Sequence, residues 1–293
     1  MIIIKIQGGL GNQLFQYAFG KLLEVTYKKE VAYDLSFFEK THSYTKRSYL
    51  LDHFNTHLRV AIDQEIEKVK YPYGLISKAL YWTKKALNKY IFKHYHIAYE
   101  EGFVERFGTI DSAYVEGYFQ SSKYVLPVVE TLRKEITLKD KGSDAYENFL
   151  TQIESSNSVF VHIRRGDYTQ SGQNSMTLDT IYYEEAAKHI ASYISNPTYF
   201  IFSDDIAWAK ENVGSLFKSA VYVSQSRLSL PEEVEEMVLM THARNAIIAN
   251  STFSWWGAML AKKEGGTVIC PKDWKNPYLL NNEDLCGGEW VKL

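Results

Sequence analysis

The segment His162-Ile163-Arg164-Arg165-Gly166-Asp167-Tyr168 gathers a histidine, two arginines and an aspartate directly after the apolar run Val159–Val161. Side chains alternate along a strand, so His162 and Arg164 share one face at its carboxyl end, while Arg165 takes the other as the chain turns at Gly166. A guanidinium is a planar fork that matches two phosphate oxygens at once, which makes a diphosphate the natural guest of Arg164. A structural ion pair of Arg165 with Asp167 accounts for one arginine, not for both. A second anion site is legible in Asn250-Ser251-Thr252-Phe253-Ser254, which follows the apolar run Ala246–Ala249. The first amides of a helix have no partner within it and sit at the positive end of its dipole, so Ser251, Thr252 and those amides suit phosphate oxygens. Capping alone needs one hydroxyl, and this stretch supplies three beside Asn250.

Three further groups carry chemistry. The loop Gly8-Gly9-Leu10-Gly11-Asn12-Gln13 stands where a strand gives way to a helix. Its glycines let a ligand approach the backbone, and the Asn12 and Gln13 amides can reach one. Asp34 sits where a dinucleotide-binding fold keeps its ribose acid, but Leu14 occupies the position of the third small residue, which argues against nicotinamide binding. Ser203-Asp204-Asp205 ends another strand; the paired acids suit a divalent metal on a nucleotide diphosphate, yet capping of the helix from Ile206 explains them, with a base or ribose hydrogen bond still open to one. Glu232, Glu233, Glu235 and Glu236 complement a helix dipole, with one of them open to a sugar hydroxyl. Trp255 and Trp256 read as core and rim of one helix.

These groups need elements to position them. Ile2–Ile6 is a β-branched run, and Leu14, Phe15, Ala18, Leu22 and Val25 follow at helical spacing before a second strand at Val31–Asp34. That is the βαβ opening of a parallel sheet. Ala113–Gln120 reads as a strand into a loop and Tyr124–Ile136 as a helix. Beyond the polar connection Lys139–Asp144, strands at Val159–Ile163, Tyr199–Phe202, Val221–Val223, Ala246–Ala249 and Thr267–Cys270 alternate with helices at Tyr182–Ile194, Ile206–Glu211, Pro231–Thr241 and Phe253–Lys263. Two doubly wound α/β domains, residues 1–142 and 143–293, are the economical reading, with ligand groups at the carboxyl ends of the strands.

Composition bounds the partners. The chain has 293 residues, of which 45% are hydrophobic and 23% charged, with a formal charge of −2. There is no global basic field to attract nucleic acid, so any anion is met by locally aimed groups. Aromatics make up 15%, with 22 Tyr, and suit packing and sugar faces alike. Cys270 and Cys286 read as thiols of a reducing compartment. Met1–Ile6 does not read as a secretory leader, and polar residues interrupt every apolar stretch short of a membrane span, so a cytoplasmic protein is expected. Lys68–His96 carries seven Lys and no acid. It reads as amphipathic helices whose lysines face solvent over a domain core, with peripheral contact to an anionic membrane surface as the sharper alternative.

The segments Gly8–Ala18, Glu116–Ser121, His162–Tyr168, Phe202–Asp205 and Ile247–Ala258, in that order, resemble the bacterial α-1,2-fucosyltransferase family. The resemblance implies a GT-B architecture: two Rossmann-like domains facing across a cleft, an N-terminal acceptor-side domain and a C-terminal donor domain. It implies GDP-β-L-fucose as donor, the 2-hydroxyl of a galactoside as acceptor, inversion at the anomeric carbon, and neither cofactor nor essential metal. Carried onto this sequence, the resemblance sets Arg164 on the donor diphosphate, Ser251 and Thr252, with Phe253 beside them, on its phosphates and Asn12 across the cleft; Arg165, Gly11, Asp204 and Asn250 join them as donor-side candidates read from the residues. The acceptor side would be Gln13, Tyr118, Gln120 and Tyr168. Arg164 would stabilise the departing GDP, and Asp167 would be the base, with His162 as its alternative or orienting partner. Asn245-Ala246 and Thr252 depart from the family's usual residues and leave acceptor choice open. Competing readings are another sugar or linkage on the same fold, and a carbohydrate-binding module without nucleotide affinity.

Overall fold

The computed structural model describes residues 1–39, 47–86, 112–166, 177–223, 231–261, 265–274, 285–286 and 289–293. Of the expected site residues, Asp167 and Tyr168 lie outside the described residues, as does the 87–96 part of the basic segment. The chain divides into two compact units, residues 1–52 with 56–132 and residues 53–55 with 133–293. This division falls earlier than the 142/143 boundary expected from composition. The reason is backbone pairing: Asn55 N–H donates to the Thr137 carbonyl at 3.1 Å and Lys139 N–H to that of His53 at 2.9 Å, while Phe54 bridges antiparallel to Leu138. Polarity marks exposure, whereas these bonds decide which unit a segment belongs to.

In the first unit β1 (Ile2–Lys5), β2 (Val31–Asp34) and β3 (Ala113–Val115) form a parallel sheet of order β2-β1-β3. Ile2, Ile3 and Ile4 are all fully buried, as a strand covered on both faces requires. The helix Leu10–Tyr27 packs on β1 and β2, and its Leu14, Phe15, Ala18 and Leu23 are buried. Gly20 leaves room on that helix for the Tyr33 hydroxyl, which donates to the Tyr17 carbonyl at 3.3 Å. The strand expected to lead into a loop within Ala113–Gln120 is β3, which ends at Val115. Phe119 adopts a φ of 53°, which turns its ring onto Phe19 in a stack of 3.9 Å between centroids. The single helix expected from Tyr124 to Ile136 is Ser122–Val125, a 3-10 turn at Leu126–Val128 and Val129–Glu135, because Pro127 offers no amide to a continuous ladder. The basic segment corrects its expected orientation. On the helix Leu75–Ala86 Ser77 is buried, while Leu75, Ile76, Leu80 and Trp82 are exposed, so these four apolar residues do not cover a core.

In the second unit β4 (Ser158–Ile163), β5 (Thr198–Ser203), β6 (Ala220–Tyr222), β7 (Asn245–Ile247), β8 (Val268–Cys270) and β9 (Val291–Lys292) form a parallel sheet of order β6-β5-β4-β7-β8-β9. Counted within the unit this is 3-2-1-4-5-6, the order of doubly wound nucleotide-binding sheets, and the winding reverses between β4 and β7. Val159, Val161 and Ile163 of β4 meet Tyr182, Ala186 and Ile190 of the helix Thr180–Tyr193 in the core. The helices Glu232–His242 and Thr252–Met259 approach so closely at Gly257 that an added Cβ would lie 2.7 Å from the Met240 Cβ. Trp255 and Trp256 are both fully buried, so neither forms the expected rim. β9, two residues long, is too short to carry a periodic signal.

Candidate functional site

Ligands of doubly wound sheets bind beyond the carboxyl ends of the strands where the winding reverses. In the second unit those are β4, which runs into His162–Gly166, and β7, which runs into Asn250–Phe253. β5 brings the third group. Its register places Phe202 beside His162 and Ser203 beside Ile163, so Asp204 and Asp205 leave the sheet next to the arginines.

The two acids divide their work. Asp204 Oδ1 accepts from the Arg165 backbone N–H at 2.8 Å, and Oδ2 accepts from Gly166 N–H at 3.0 Å while standing 3.0 Å from Arg164 Nη1. One carboxylate thus clasps the loop that follows β4. Asp205 is a helix cap: its Oδ1 accepts from Trp208 N–H at 3.0 Å, and its own N–H donates to Ser203 Oγ. The arginines are equally distinct. Arg165 stacks over the Trp208 ring, 4.0 Å from its centroid, and lies 3.5 Å from Asp205 Oδ2. Among the described residues its partner acid is Asp205, while Asp167, the expected partner, lies outside them, and its guanidinium packs on Trp208. Arg164 stands on the ligand edge, its side chain 24% exposed.

His162 was expected beside the arginines as an ionisable group, the alternative base or an orienting partner. It lies in β4, buried, with its carbonyl accepting from the Tyr183 hydroxyl at 3.2 Å and its ring 5.7 Å from that of Phe253. Its Nδ1 has no hydrogen-bond partner among the described residues. Burial, and then the neighbouring Arg164 charge, push the imidazole down to about 3. It is neutral at working pH, and so weak a base that it is a poor candidate for deprotonating a sugar hydroxyl. The unfolded chain binds a proton here below the ordinary 6.5 that the folded chain refuses until about 3, so stability present above pH 6.5 is lost as the pH falls through that window. Between pH 7 and pH 5 the wild-type chain should lose about 2 kcal/mol more unfolding free energy than His162→Gln. Urea titrations of both proteins at the two pH values measure this, and equal losses would refute it.

At the end of β7, Ser251 caps the helix Thr252–Met259, its Oγ accepting from Phe253 N–H at 3.3 Å. Ser251, Thr252 and Phe253 are half-buried at the open edge. Asn250 is buried and donates to the Trp274 carbonyl at 3.1 Å, and Ser254 is fully buried. The three hydroxyls read from sequence thus reduce to two at the edge.

In the first unit the carboxyl ends of β1 and β3 bring two loops together, with Gln120 Nε2 donating to Asn12 Oδ1 at 2.8 Å. Gly8, at a φ of 83°, turns the chain beneath Asn12. Tyr118, two residues before Gln120 in the chain, is 39% exposed. Gln13, expected on the acceptor side, is instead fully buried: Nε2 donates to the Gly8 and Ser48 carbonyls at 3.0 and 2.8 Å, and Oε1 accepts from Leu50 N–H at 3.0 Å. Gln16, unremarked in the sequence, does the same, accepting from Gln7 N–H and donating to the Gly117 carbonyl. Its signal was available, since it lies three residues from Gln13 on the same helix face. Asp34 holds Ser36 N–H and the Tyr114 hydroxyl and is not a ligand acid. Glu235 is buried against Ser143, accepting from its N–H and hydroxyl at 2.7 and 2.9 Å, so it caps packing rather than binding sugar. Among the described residues no group of three or more His, Cys, Asp or Glu could hold a metal.

Two parallel-sheet units, one of nucleotide-binding strand order with an arginine and a hydroxyl-rich helix start at its winding reversal, define an α/β protein of GT-B type. Solved structures of this fold include the fucosyltransferase NodZ from Bradyrhizobium, at a TM-score of 0.50 and 12% identity over 88% of this chain and 92% of that one. Arabidopsis thaliana FUT1, a mutant in complex with GDP, matches at a TM-score of 0.51 and 9% identity over 97% and 73%. The chain belongs to glycosyl transferase family 11, whose profile matches residues 1–293, and is thus a glycosyltransferase, as the motifs implied. Similar proteins include an alpha-1,2-colitosyltransferase of Escherichia coli, 30% identical over 300 residues covering 100% of this chain and 99% of the relative. The O-antigen biosynthesis glycosyltransferase WbnK of the same species is 26% identical over 98% and 99%. Galactoside alpha-(1,2)-fucosyltransferase 2 of Mus musculus is 27% identical over 60% of this chain and 52% of its own length.

Proposed function

We propose that this glycosyltransferase moves L-fucose from GDP-β-L-fucose to the 2-hydroxyl of a terminal galactose, with inversion, in the assembly of a surface polysaccharide or oligosaccharide. The observation that carries the reading is the placement of Arg164 and of Ser251 with Thr252 at the ends of β4 and β7, the two strands flanking the winding reversal, where a nucleotide diphosphate belongs. In-line displacement through an oxocarbenium-like state puts growing negative charge on the departing GDP, and these groups meet it without a metal. Asn12, Gln120 and Tyr118 present the polar and aromatic groups of an acceptor side, and Asp167 is the base. Turnover of GDP-fucose across a panel of galactosides, with linkage determined in the product, tests the proposal; transfer to a hydroxyl other than position 2 overturns the linkage. Undiminished activity in EDTA is expected, and complete loss would return Asp204 and Asp205 to a metal.

A colitosyl donor is the reading that competes, because a relative 30% identical over the whole chain carries that activity in its name. Colitose is the 3-deoxy counterpart of L-fucose, so the two donors differ by one hydroxyl. A site that hydrogen-bonds this hydroxyl discriminates strongly against its absence, and the ratio of kcat/KM for the two GDP-sugars decides between them.

The reaction is placed in the cytoplasm, at the inner face of the membrane. No helix among the described residues is long and apolar enough to cross a membrane. Leu75, Ile76 and Trp82 are nevertheless 84%, 69% and 58% exposed on one helix, within a segment rich in lysine, which suits lodging in an anionic lipid surface. Sedimentation with phosphatidylglycerol vesicles should fall for Ile76→Glu and stay absent with phosphatidylcholine alone; equal sedimentation of both proteins would refute the contact.

A further inference from the structure

The diphosphate site uses neither cysteine, yet the two thiols are not scattered through the core. Cys270 closes β8, fully buried, and Cys286 is 6% exposed, with their sulfurs 2.9 Å apart. Closing that distance to a covalent bond of about 2.05 Å asks for a movement of about 0.9 Å. We propose that Cys270 and Cys286 are a peroxide-reactive dithiol that closes to a disulfide and fastens the chain at Leu285 to the carboxyl end of β8.

The surroundings assign each thiol a part. Cys270 S–H donates to the Cys286 sulfur, and Lys292 is the register partner of Cys270 on β9, so an ammonium lies beside the pair. Both favour a thiolate at Cys286 and lower its pKa, while the donated bond and burial raise that of Cys270. Tyr182, a titratable group facing the pair among the described residues, is held neutral by burial and donates to the Ile248 carbonyl at 2.6 Å. Cys286, slightly exposed where Cys270 is fully buried, is the thiol peroxide reaches first and so the nucleophile, with Cys270 the resolving thiol. The Cys286 thiolate attacks one oxygen of hydrogen peroxide, forming an S–O bond as the O–O bond breaks and hydroxide leaves, to be protonated to water. Cys270, giving up its proton, then attacks the Cys286 sulfur, forming the S–S bond and expelling the second oxygen as water. Two thiols and one peroxide give one disulfide and two waters, the sulfurs losing two electrons and the peroxide gaining them. Peroxide is small enough to reach a pair with one slightly exposed member.

The link has a structural consequence. The Leu285 carbonyl accepts from the Trp255 indole N–H at 2.6 Å, and Trp255 anchors the helix that begins at Thr252. Fixing Cys286 on β8 fixes that anchor.

The full-length reduced protein is treated with hydrogen peroxide, quenched, denatured and alkylated, with thermal unfolding followed in parallel. The expected result is loss of two hydrogens, protection of both cysteines from alkylation, a single Cys270–Cys286 cross-linked peptide, and a Tm raised by on the order of 5 °C and restored by dithiothreitol. Cys286→Ser should show neither cross-link nor Tm shift, whereas Cys270→Ser should leave Cys286 as a sulfenic acid that dimedone traps. Two alkylatable thiols after methionine oxidation has begun, cross-links between chains, or equal dimedone labelling of both single variants would each overturn the proposal.

Discussion

Arg164→Ala should lower kcat at saturating GDP-fucose by on the order of 100-fold or more, the scale of losing one aimed electrostatic donor. The expectation follows from where the side chain stands. β4 is buried along its whole length and delivers Arg164 to the edge next to the winding reversal, so the backbone that carries it moves little. Asp204 braces Nη1 at 3.0 Å, which aims the guanidinium before any ligand arrives. In the proposed reaction the donor is already charged in the ground state, and the breaking glycosidic bond adds charge to the leaving diphosphate. A group that meets the added charge acts on kcat, while one that meets only the resting charge acts on KM. Arg164→Lys separates the two, because it keeps the charge and loses the fork; it should fall between wild type and alanine. Steady-state kinetics with the donor varied to saturation make the measurement. An unchanged kcat in Arg164→Ala would remove the arginine from the chemical step and leave it, at most, a binding residue. Arg165→Ala should act differently, through lost stacking on Trp208, and show first as a lower Tm.

The contrast between neighbouring residues explains what could be read before the structure and what could not. Val159–Ile163 and Tyr199–Phe202 are unbroken apolar runs, the mark of strands buried on both faces, and the polar segments after them had to lie at the carboxyl edge. Strand order then sets the segments after β4 and β7 on either side of the winding reversal. Within each polar segment, however, residue type does not say which way a side chain points. Asn12 and Gln13 carry the same amide; one helical step of about 100° separates the loop-facing position from the buried one. Asp204 and Asp205 are the same acid, and only the register of β5 against β4 decides which clasps a loop and which caps a helix. Composition misled where exposure was inferred from it: the helix Leu75–Ala86 has apolar residues at helical spacing, yet turns Ser77 inward. Positions decided by long-range backbone pairing, such as the membership of His53–Asn55 in the second unit, leave no local trace.

Asp204→Ala should reduce kcat/KM roughly 100-fold, the scale of misplacing a reacting group by about an ångström, although Asp204 needs to touch no substrate to do so. Its carboxylate accepts two backbone amides, those of Arg165 and Gly166, and braces Arg164. Hydrogen bonds to a charged acceptor are worth about 1.5–3 kcal/mol each, enough to set one loop conformation over others. Asp204→Asn keeps a single amide-accepting oxygen and should be intermediate, which a plain loss of packing would not produce. Gly166→Ala offers a second route to the same contact, since its Cβ would lie 2.9 Å from Asp204 Oδ2 and push the carboxylate away. If Asp204 acts through Arg164, then Arg164→Ala combined with Asp204→Ala should be little worse than Arg164→Ala alone, because coupled residues lose their shared function once. Multiplied effects in that double variant would instead give Asp204 an independent contact with the donor. A metal role makes a different forecast, with EDTA reproducing the Asp204→Ala defect in the wild-type enzyme. The double-mutant cycle and the chelation assay together decide among a brace for the arginine, a direct donor ligand and a metal ligand.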